Sequence, residues 1–394
     1  IYELVINTNP SYAFLLEGNS VLQNKLVIAH VLGHTDFFKN NIWFGRTNRQ
    51  MIEGVSVNAD RIRKYEFEHG EREVEKFLDA VLVVQEHVDA NQRLRQELEQ
   101  EEPKRPQRSD DPYEDLFSLD ERAALATPEP AKHRKLPEEP EKDLLLFLAE
   151  HSPELETWQR DVVHMVRSEM LYFVPQMQTK IMNEGWASLF HSRIMRELDL
   201  SDDEYTAFAQ MHSGVLSPSR RRVNPYYVGL KMLEDIERRW NEPTEEERRL
   251  FGRQGGEGLK KLFEVREIEN DVSFLRNYLT PELVDDLDLY VYRLEGNEWK
   301  IVEKHWEKVR DALVASMTNF GQPYIVVEDG DYRRNRELYL RHCFEGEELD
   351  LDWAERTLRY VFQLWGRPVH LETVSEGAKL VVSYDGGDAT RKRG

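Results

Sequence analysis

The sequence predicts an α+β protein, with a mainly helical main domain and a small α/β domain at its C-terminus. Apolar residues recur at helical spacing over most of residues 21–284, and short strand-like runs alternate with two helices after residue 285. A chain of 394 residues with 40% hydrophobic residues is long and apolar enough for two or three domains with their own cores.

Residues 1–98 are expected to form the first part of the main domain. The run Tyr2–Asn7 predicts a strand, which ends at the turn signal Asn9-Pro10. Helices are expected over residues 21–38, 48–65 and 72–88, where apolar side chains recur every three or four residues.

Residues 99–142 differ in composition from both flanks. Seven prolines stand among dense charges of both signs, which is typical of a solvated, irregular linker. Residues 143–284 then continue the helical main domain, and a break is expected at Pro175. The expected helices cover residues 143–151, 158–172, 177–198 and 226–240.

Residues 285–394 are predicted to form the C-terminal domain. Strands are expected over residues 287–294, 324–328, 338–343, 369–374 and 379–384, and helices over residues 302–320 and 351–365. The order β-α-β-β-α-β, with one further strand, is that of a split βαβ, ferredoxin-like domain.

The overall charge and the cysteine content exclude several function classes. The 53 basic and 74 acidic residues give a net charge of −21, which argues against non-specific binding to nucleic acid or to an anionic membrane. The single cysteine, Cys343, excludes a disulfide framework and fits a reducing compartment. With no apolar run of about 18 residues, we expect a soluble, cytoplasmic protein without a membrane span. Because the chain starts at Ile1 without methionine, we expect a fragment or a processed form.

Two histidines form the first candidate site. His30 and His34 stand four residues apart on the predicted helix 21–38, so both imidazoles can reach one metal ion. Leu26, Val27 and Phe37 extend the same helix face, which is therefore expected to be buried. The alternative is a pair of core histidines whose partners are backbone or carboxylate groups.

Glu184 is the second candidate, because its carboxylate projects from a largely apolar helix face. A buried carboxylate must pair with a cation, accept several hydrogen bonds or take up a proton. The alternative to a metal is an ion pair with Arg167 or Arg193. His191 lies two turns further on and is expected to support the site or face the substrate, not to bind the metal.

Together, His30, His34 and Glu184 form a two-histidine, one-glutamate zinc set. The element Asn183-Glu184-x-x-Ser188 resembles the glutamate-bearing helix of the thermolysin-like zinc peptidases (gluzincins), and the histidine pair resembles their His-Glu-x-x-His helix. The resemblance implies a metallopeptidase-like main domain with zinc as cofactor. It departs from the pattern at Val31, where the glutamate that acts as general base is missing. Glu17, His191 and His212 are therefore the candidates for the catalytic proton carrier, together with Glu169.

The whole chain resembles the SpoVR family, the stage V sporulation protein R and its relatives. The matching stretches are residues 7–12, 29–41, 175–191, 212–213, 224–226 and 243–246, together with the layout of the C-terminal domain. The resemblance covers nearly all 394 residues. It implies a role in spore cortex formation or in the stress response. It also implies an association with a serine protein kinase and a third, stress-related protein, and a further N-terminal segment before Tyr2.

These observations leave two functional hypotheses. The first is a zinc-dependent hydrolase of amide bonds in peptide or cell-wall material, with His30, His34 and Glu184 as ligands. The second is a non-catalytic regulatory or scaffold protein that keeps a degenerate metallopeptidase-like site and works with the kinase. The missing base at Val31 and the ferredoxin-like domain favour the second hypothesis.

Overall fold

A computed structural model of the protein describes residues 3–92, 135–218, 223–296 and 298–393. Its main helices are α1 (Val21–Asn40), α2 (Met51–His69), α3 (Glu71–Leu82), α4 (Leu144–His151), α5 (Thr157–Gln178), α6 (Lys180–Glu197), α7 (Asp202–Val215), α8 (Pro225–Asn241), α9 (Glu245–Phe251), α10 (Gly258–Ile268), α11 (Asp271–Tyr278), α12 (Pro281–Asp286), α13 (Trp306–Met317) and α14 (Leu351–Trp365). The strands are β1 (Glu3–Ile6), β2 (Tyr12–Leu15), β3 (Val291–Glu295), β4 (Glu298–Glu303), β5 (Ile325–Tyr332), β6 (Glu337–His342), β7 (Val369–Ser375), β8 (Ala378–Tyr384) and β9 (Thr390–Arg393).

The chain divides into two compact units, and each is discontinuous in sequence. The first consists of Ile1–Asp60 and Leu171–Gln322, and the second of Arg61–Met170 and Pro323–Gly394. The first unit is mainly helical and contains all the candidate ligands. The second contains the largest sheet of the described residues.

Helix α6 is the centre of the first unit, because α1 and α8 both pack against it. Glycines allow the close contacts. A methyl group on Gly33 of α1 would lie 2.7 Å from Cα of Ala187 in α6, and one on Gly185 would lie 2.4 Å from the backbone of Gly229 in α8. Large apolar side chains fill the surrounding core, among them Phe37, Phe44, Trp186, Met232, Leu262 and Phe274.

Side chains fix where these helices begin. Ser20 caps α1 and forms a capping box with Gln23, as its position before the helix suggests. The start of α6 is capped from another helix, since the Asp271 carboxylate accepts hydrogen bonds from the backbone N–H groups of Ile181 (2.8 Å) and Met182 (3.0 Å). Both caps set the register of helices that carry candidate ligands.

Strands β1 and β2 form an antiparallel hairpin in which Glu3 is opposite Leu15. Val5, two residues from Glu3 and thus on the same face of the strand, packs against the core of the first unit. The backbone N–H of Asn7 donates to the Tyr172 hydroxyl at 2.9 Å, and Arg49 donates to the Asn7 side chain. The face of the hairpin that carries Glu3 is therefore directed toward the helices.

The second unit contains a five-stranded sheet in the order β5-β6-β7-β8-β9. All neighbouring strands are antiparallel except β6 and β7, which are parallel and are connected through α14. The predicted ferredoxin-like topology is wrong, because residues 291–303 do not supply its first strand. They form the separate hairpin β3–β4, and the helix expected from residue 302 begins only at Trp306.

Two further expectations differ from the structure. Helix α5 continues through Pro175 to Gln178, because a proline near the end of a helix removes only one backbone hydrogen bond. The helix expected to reach residue 88 ends at Leu82. Residues 99–134 of the expected linker lie outside the described residues. In the described part of the chain, no helix combines the length and apolar character that crossing a membrane requires.

The contact between α6 and α8 generates a stability prediction. In Gly185→Ala the new methyl group meets backbone atoms of Gly229 and Leu230, which cannot rotate away. We expect the free energy of unfolding to fall by about 1–3 kcal/mol in chemical denaturation. Gly54→Ala is the control, because a methyl group there has no atom within 4 Å. It should leave stability unchanged or raise it by up to about 1 kcal/mol, and equal losses in both variants would contradict the packing argument.

Candidate metal centre

Four side chains of the first unit converge on one point: Glu3, His30, His34 and Glu184. One ligand atom from each lies within 4.8 Å of all the others. The Nε2 atoms of His30 and His34 lie 3.3 and 3.4 Å from Oε1 of Glu3, and both lie 3.5 Å from Oε2 of Glu184. The structure thus brings together the three ligands predicted from the sequence and adds Glu3.

Three separate elements supply these groups. Helix α1 presents both histidines one turn apart, and their side chains are 2% and 5% exposed. Helix α6 supplies Glu184, and the close contact of Gly33 with Ala187 holds the two helices together one turn from the cluster. The hairpin strand β1 supplies Glu3 from the remaining side.

A second set of hydrogen bonds orients both imidazoles. Nδ1 of His34 lies 2.8 Å from Oδ1 of Asn183, which can only accept, so His34 carries its proton on Nδ1. Its Nε2 then presents a lone pair to the two carboxylates when the ring is neutral. Nδ1 of His30 lies 2.8 Å from Nδ1 of His191. Such partners on the far nitrogen are typical of histidines that bind metals.

The chain of imidazoles continues beyond His191. Its Nε2 lies 2.8 Å from Nδ1 of His212 on α7. Burial first, and then the neighbouring histidine charges, hold the pKa of His191 well below its ordinary value, and burial lowers the pKa of His212. Both rings are therefore neutral near pH 7, and His191 supports His30 without joining the ligand cluster.

The electrostatics of the cluster require positive charge at its centre. Burial lowers the pKa of His30, but the nearby carboxylates of Glu184 and Glu3 outweigh it and raise the pKa to about 9. Burial opposes ionisation of Glu3, yet the two histidines hold its pKa well below the ordinary value. Nε2 of His30 and one oxygen each of Glu3 and Glu184 are buried without a hydrogen-bond partner. Protons or a cation can neutralise two such carboxylates.

The four His–Glu distances fit a tetrahedral metal ion. With metal–ligand bonds of about 2.0–2.2 Å, the ligand atoms of a tetrahedral zinc site lie about 3.3–3.6 Å apart. The observed separations are 3.3–3.5 Å. Imidazole and carboxylate are also common zinc ligands. The His–His and Glu–Glu separations in the cluster are at most 4.8 Å, so the four side chains are close enough to hold one metal ion.

The remaining sequence candidates lie elsewhere or have other partners. Glu17, a candidate proton carrier, is exposed in the turn before α1 and does not belong to the cluster. The proposed ion pairs of Glu184 with arginine are wrong, since Arg167 pairs with Asp143 at 2.8 Å and Arg193 pairs with Glu237. Glu184 instead faces the two histidines.

Two residues of the site, Glu3 and Tyr226, were not among the predicted site residues. Glu3 is an acidic residue within an apolar strand, on the face that also carries the core residue Val5, and this alternation was its only local signal. Tyr226, near the N-terminus of α8, has its ring stacked 5.9 Å from that of His30. Burial and the charges of Glu184 and Glu3 raise its pKa, so the phenol keeps its proton and can donate a hydrogen bond.

The comparisons with known proteins agree on a family. The model of the family described as "SpoVR like protein" matches residues 1–322, and that of the "SpoVR-like C-terminal domain" matches residues 323–376. The chain is 31% identical over 413 residues to "Uncharacterized protein YcgB" of Escherichia coli (strain K12), covering 96% of this chain and 79% of that protein. No solved structure matches. This chain therefore belongs to the SpoVR family.

Proposed function

We propose that this protein is a zinc-dependent hydrolase of amide bonds, with His30, His34 and Glu184 as ligands. The observation that supports it most is the position of Glu3. Its Oε1 lies 3.3 and 3.4 Å from the two Nε2 atoms, so this carboxylate is close enough to take a proton from a water molecule bound between the histidines. Glu3 thus replaces in space the base that is missing in sequence at Val31.

Each residue then has a defined task. A zinc ion held by His30, His34 and Glu184 would polarise the amide carbonyl and lower the pKa of a bound water. Glu3, whose side chain is 16% exposed, takes the proton of the attacking water and passes it to the leaving nitrogen. The protonated Tyr226 phenol donates to the oxyanion that develops on the carbonyl oxygen. Asn183 and His191 keep the imidazoles oriented.

His191 and His212 have a supporting task in this scheme, and Glu17 has none. With zinc on Nε2, His30 must carry its proton on Nδ1 and donate it to His191, which then donates from Nε2 to His212. The resemblance to gluzincins and the family membership support amide bonds of peptides or of cell-wall material as the substrate class. The site of action would be the cytoplasm.

The alternative function is regulatory, and one observation favours it. Four protein side chains lie close enough to bind one ion together, and four protein ligands would close the metal site, as in structural zinc centres. Glu3 would then be the fourth ligand instead of a base. In that case the protein acts as a scaffold that works with a serine protein kinase and a stress-related protein in sporulation or the stress response.

Metal content is the first prediction. Purified protein should contain about one zinc per chain by elemental analysis, and a variant carrying both His30→Ala and Glu184→Ala should contain none, because two of the ligands are gone. Asn183→Ala leaves all ligands in place but removes the partner of His34, so its zinc affinity should fall about 10–100-fold. Glu17→Gln is the matched control, since this exposed carboxylate should not affect zinc content. Wild-type protein that takes up no zinc from a metal buffer would contradict the proposal.

The pH dependence of metal binding is the second prediction. In the metal-free protein the pKa of His30 is about 9, so zinc must displace a proton from this ring at neutral pH. Affinity should therefore rise about tenfold per pH unit below pH 9 and then level off. Competition with a chelator at pH 6.5, 7.5 and 8.5 measures this slope. An affinity that is constant across these values would show that His30 is not a ligand.

The third prediction separates the two functions. If Glu3 is the base, Glu3→Gln should keep its zinc and lose about 10²–10⁴-fold in the rate of peptide hydrolysis, because an amide cannot take up the proton. If Glu3 is a ligand, the same variant should lose zinc affinity. Equilibrium zinc binding and hydrolysis of a peptide library that includes cell-wall stem peptides give both readouts. The enzyme hypothesis would be rejected if wild-type protein binds zinc as tightly as Glu3→Gln does but hydrolyses no peptide of the library.

A further inference from the structure

A second cluster of reactive side chains lies in the sheet of the second unit. Glu337 on β6, His370 on β7 and Ser383 on β8 form a linear hydrogen-bonded chain. Oε2 of Glu337 lies 2.9 Å from Nε2 of His370, and Nδ1 of the same ring lies 2.7 Å from Oγ of Ser383. This chain shares no residue with the metal site.

The direction of these hydrogen bonds follows from the groups involved. Asn335 donates to Oε1 of Glu337 at 2.7 Å, and the Arg333 guanidinium, another donor, lies 3.6 Å from Oε2, so the Glu337 carboxylate acts as the acceptor. Nε2 of His370 therefore carries the ring proton, and Nδ1 accepts from the Ser383 hydroxyl. The order serine–histidine–carboxylate is that of a serine nucleophile and its base, with the two ring nitrogens exchanged relative to the Ser-His-Asp triad.

The surroundings keep His370 ready to accept a proton. The residue is 7% exposed and Glu337 is 9% exposed. Burial lowers the pKa of His370, although the hydrogen bond with Glu337 acts in the opposite direction, so the ring is neutral at pH 7. An edge-to-face contact with Tyr332, at 5.2 Å between ring centroids, limits movement of the ring.

All three residues of the chain line one cavity of about 340 Å³. Its wall also contains three cationic side chains, Arg333 at the tip of the β5–β6 hairpin and Lys392 and Arg393 on β9, and the carboxylate of Asp385. Arg393 also pairs with Glu376, but the three cations still outnumber the two carboxylates of the lining, Glu337 and Asp385. Ser383 is partly exposed, so a small molecule in the cavity can reach its hydroxyl. The cationic wall favours a ligand with a negative group and supplies donors for an oxyanion.

We propose that Ser383, His370 and Glu337 form a second hydrolytic site, specific for small esters that carry an anionic group. Ser383 Oγ bonds to the ester carbonyl carbon while its proton moves to Nδ1 of His370. The carbon–oxygen bond to the alcohol then breaks, and His370 returns the proton to that oxygen. Water, activated in the same way, releases the acid and regenerates the serine, so the balance is ester plus water to acid plus alcohol. His370 is the base, and Glu337 is the positioning residue.

Covalent labelling with a fluorophosphonate reporter tests the nucleophile. We expect the full chain to be labelled, and peptide mass spectrometry should place the adduct on Ser383. Ser383→Ala should abolish this adduct, and His370→Asn should slow labelling by at least about 100-fold. Thr390→Ala is the matched control, since it removes a hydroxyl from the same cavity that is outside the hydrogen-bonded chain. It should be labelled at the wild-type rate.

Ester turnover tests the substrate class. Wild-type protein should hydrolyse an aryl hemisuccinate at least tenfold faster than the neutral aryl acetate, and Lys392→Ala should reduce this ratio without preventing labelling of Ser383. Thermal melting of each variant identifies a loss of folding. The absence of an adduct on Ser383 in folded wild-type protein would overturn the proposal, as would equal labelling of folded His370→Asn. A preference for the neutral ester would overturn the anionic specificity.

Discussion

The close packing of α1 on α6 is the constraint on which the metal centre depends. At Gly33 the two helices are so near that a methyl group would overlap the backbone of Ala187. His30 and His34 flank this contact on α1, and Glu184 precedes it on α6. A larger residue at Gly33 would push the helices apart and move the histidines away from Glu184, whose Oε2 lies 3.5 Å from both Nε2 atoms.

Part of this site could be predicted from local sequence alone. The spacing of His30 and His34 identifies a metal-binding pair because both lie on one helix face, and Glu184 stands out as an acid on an apolar face. Glu3 could not be assigned to the site from the sequence, because its contact with the helices depends on how the β1–β2 hairpin docks on them. For His191 a supporting position could be predicted, but not its partner His30, because that contact joins residues far apart in the chain.

The fold shows where the sequence patterns were insufficient. Helix periodicity located most helices to within a few residues, since their amphipathic faces are long. The C-terminal topology was harder to predict from the sequence. The pattern of apolar residues in the short segment 291–303 is compatible with a hairpin, as observed, and with a strand followed by a helix. Strand pairing is a long-range property, so the separate β3–β4 hairpin could not be distinguished from a member of the main sheet.

The hairpin β1–β2 gives the metal centre a mechanical role. Its Glu3 is the part of the cluster that does not come from the helix pair, so an ion that binds this carboxylate also fastens the hairpin to the helices. The coupling is reciprocal. Undocking of the hairpin lowers the affinity for the ion, and removal of the ion destabilises the docked hairpin. An ion bound at Glu3 would thus couple two equilibria, ion binding and docking of the first strand. A partner that binds the hairpin would then change the ion affinity of the buried histidines.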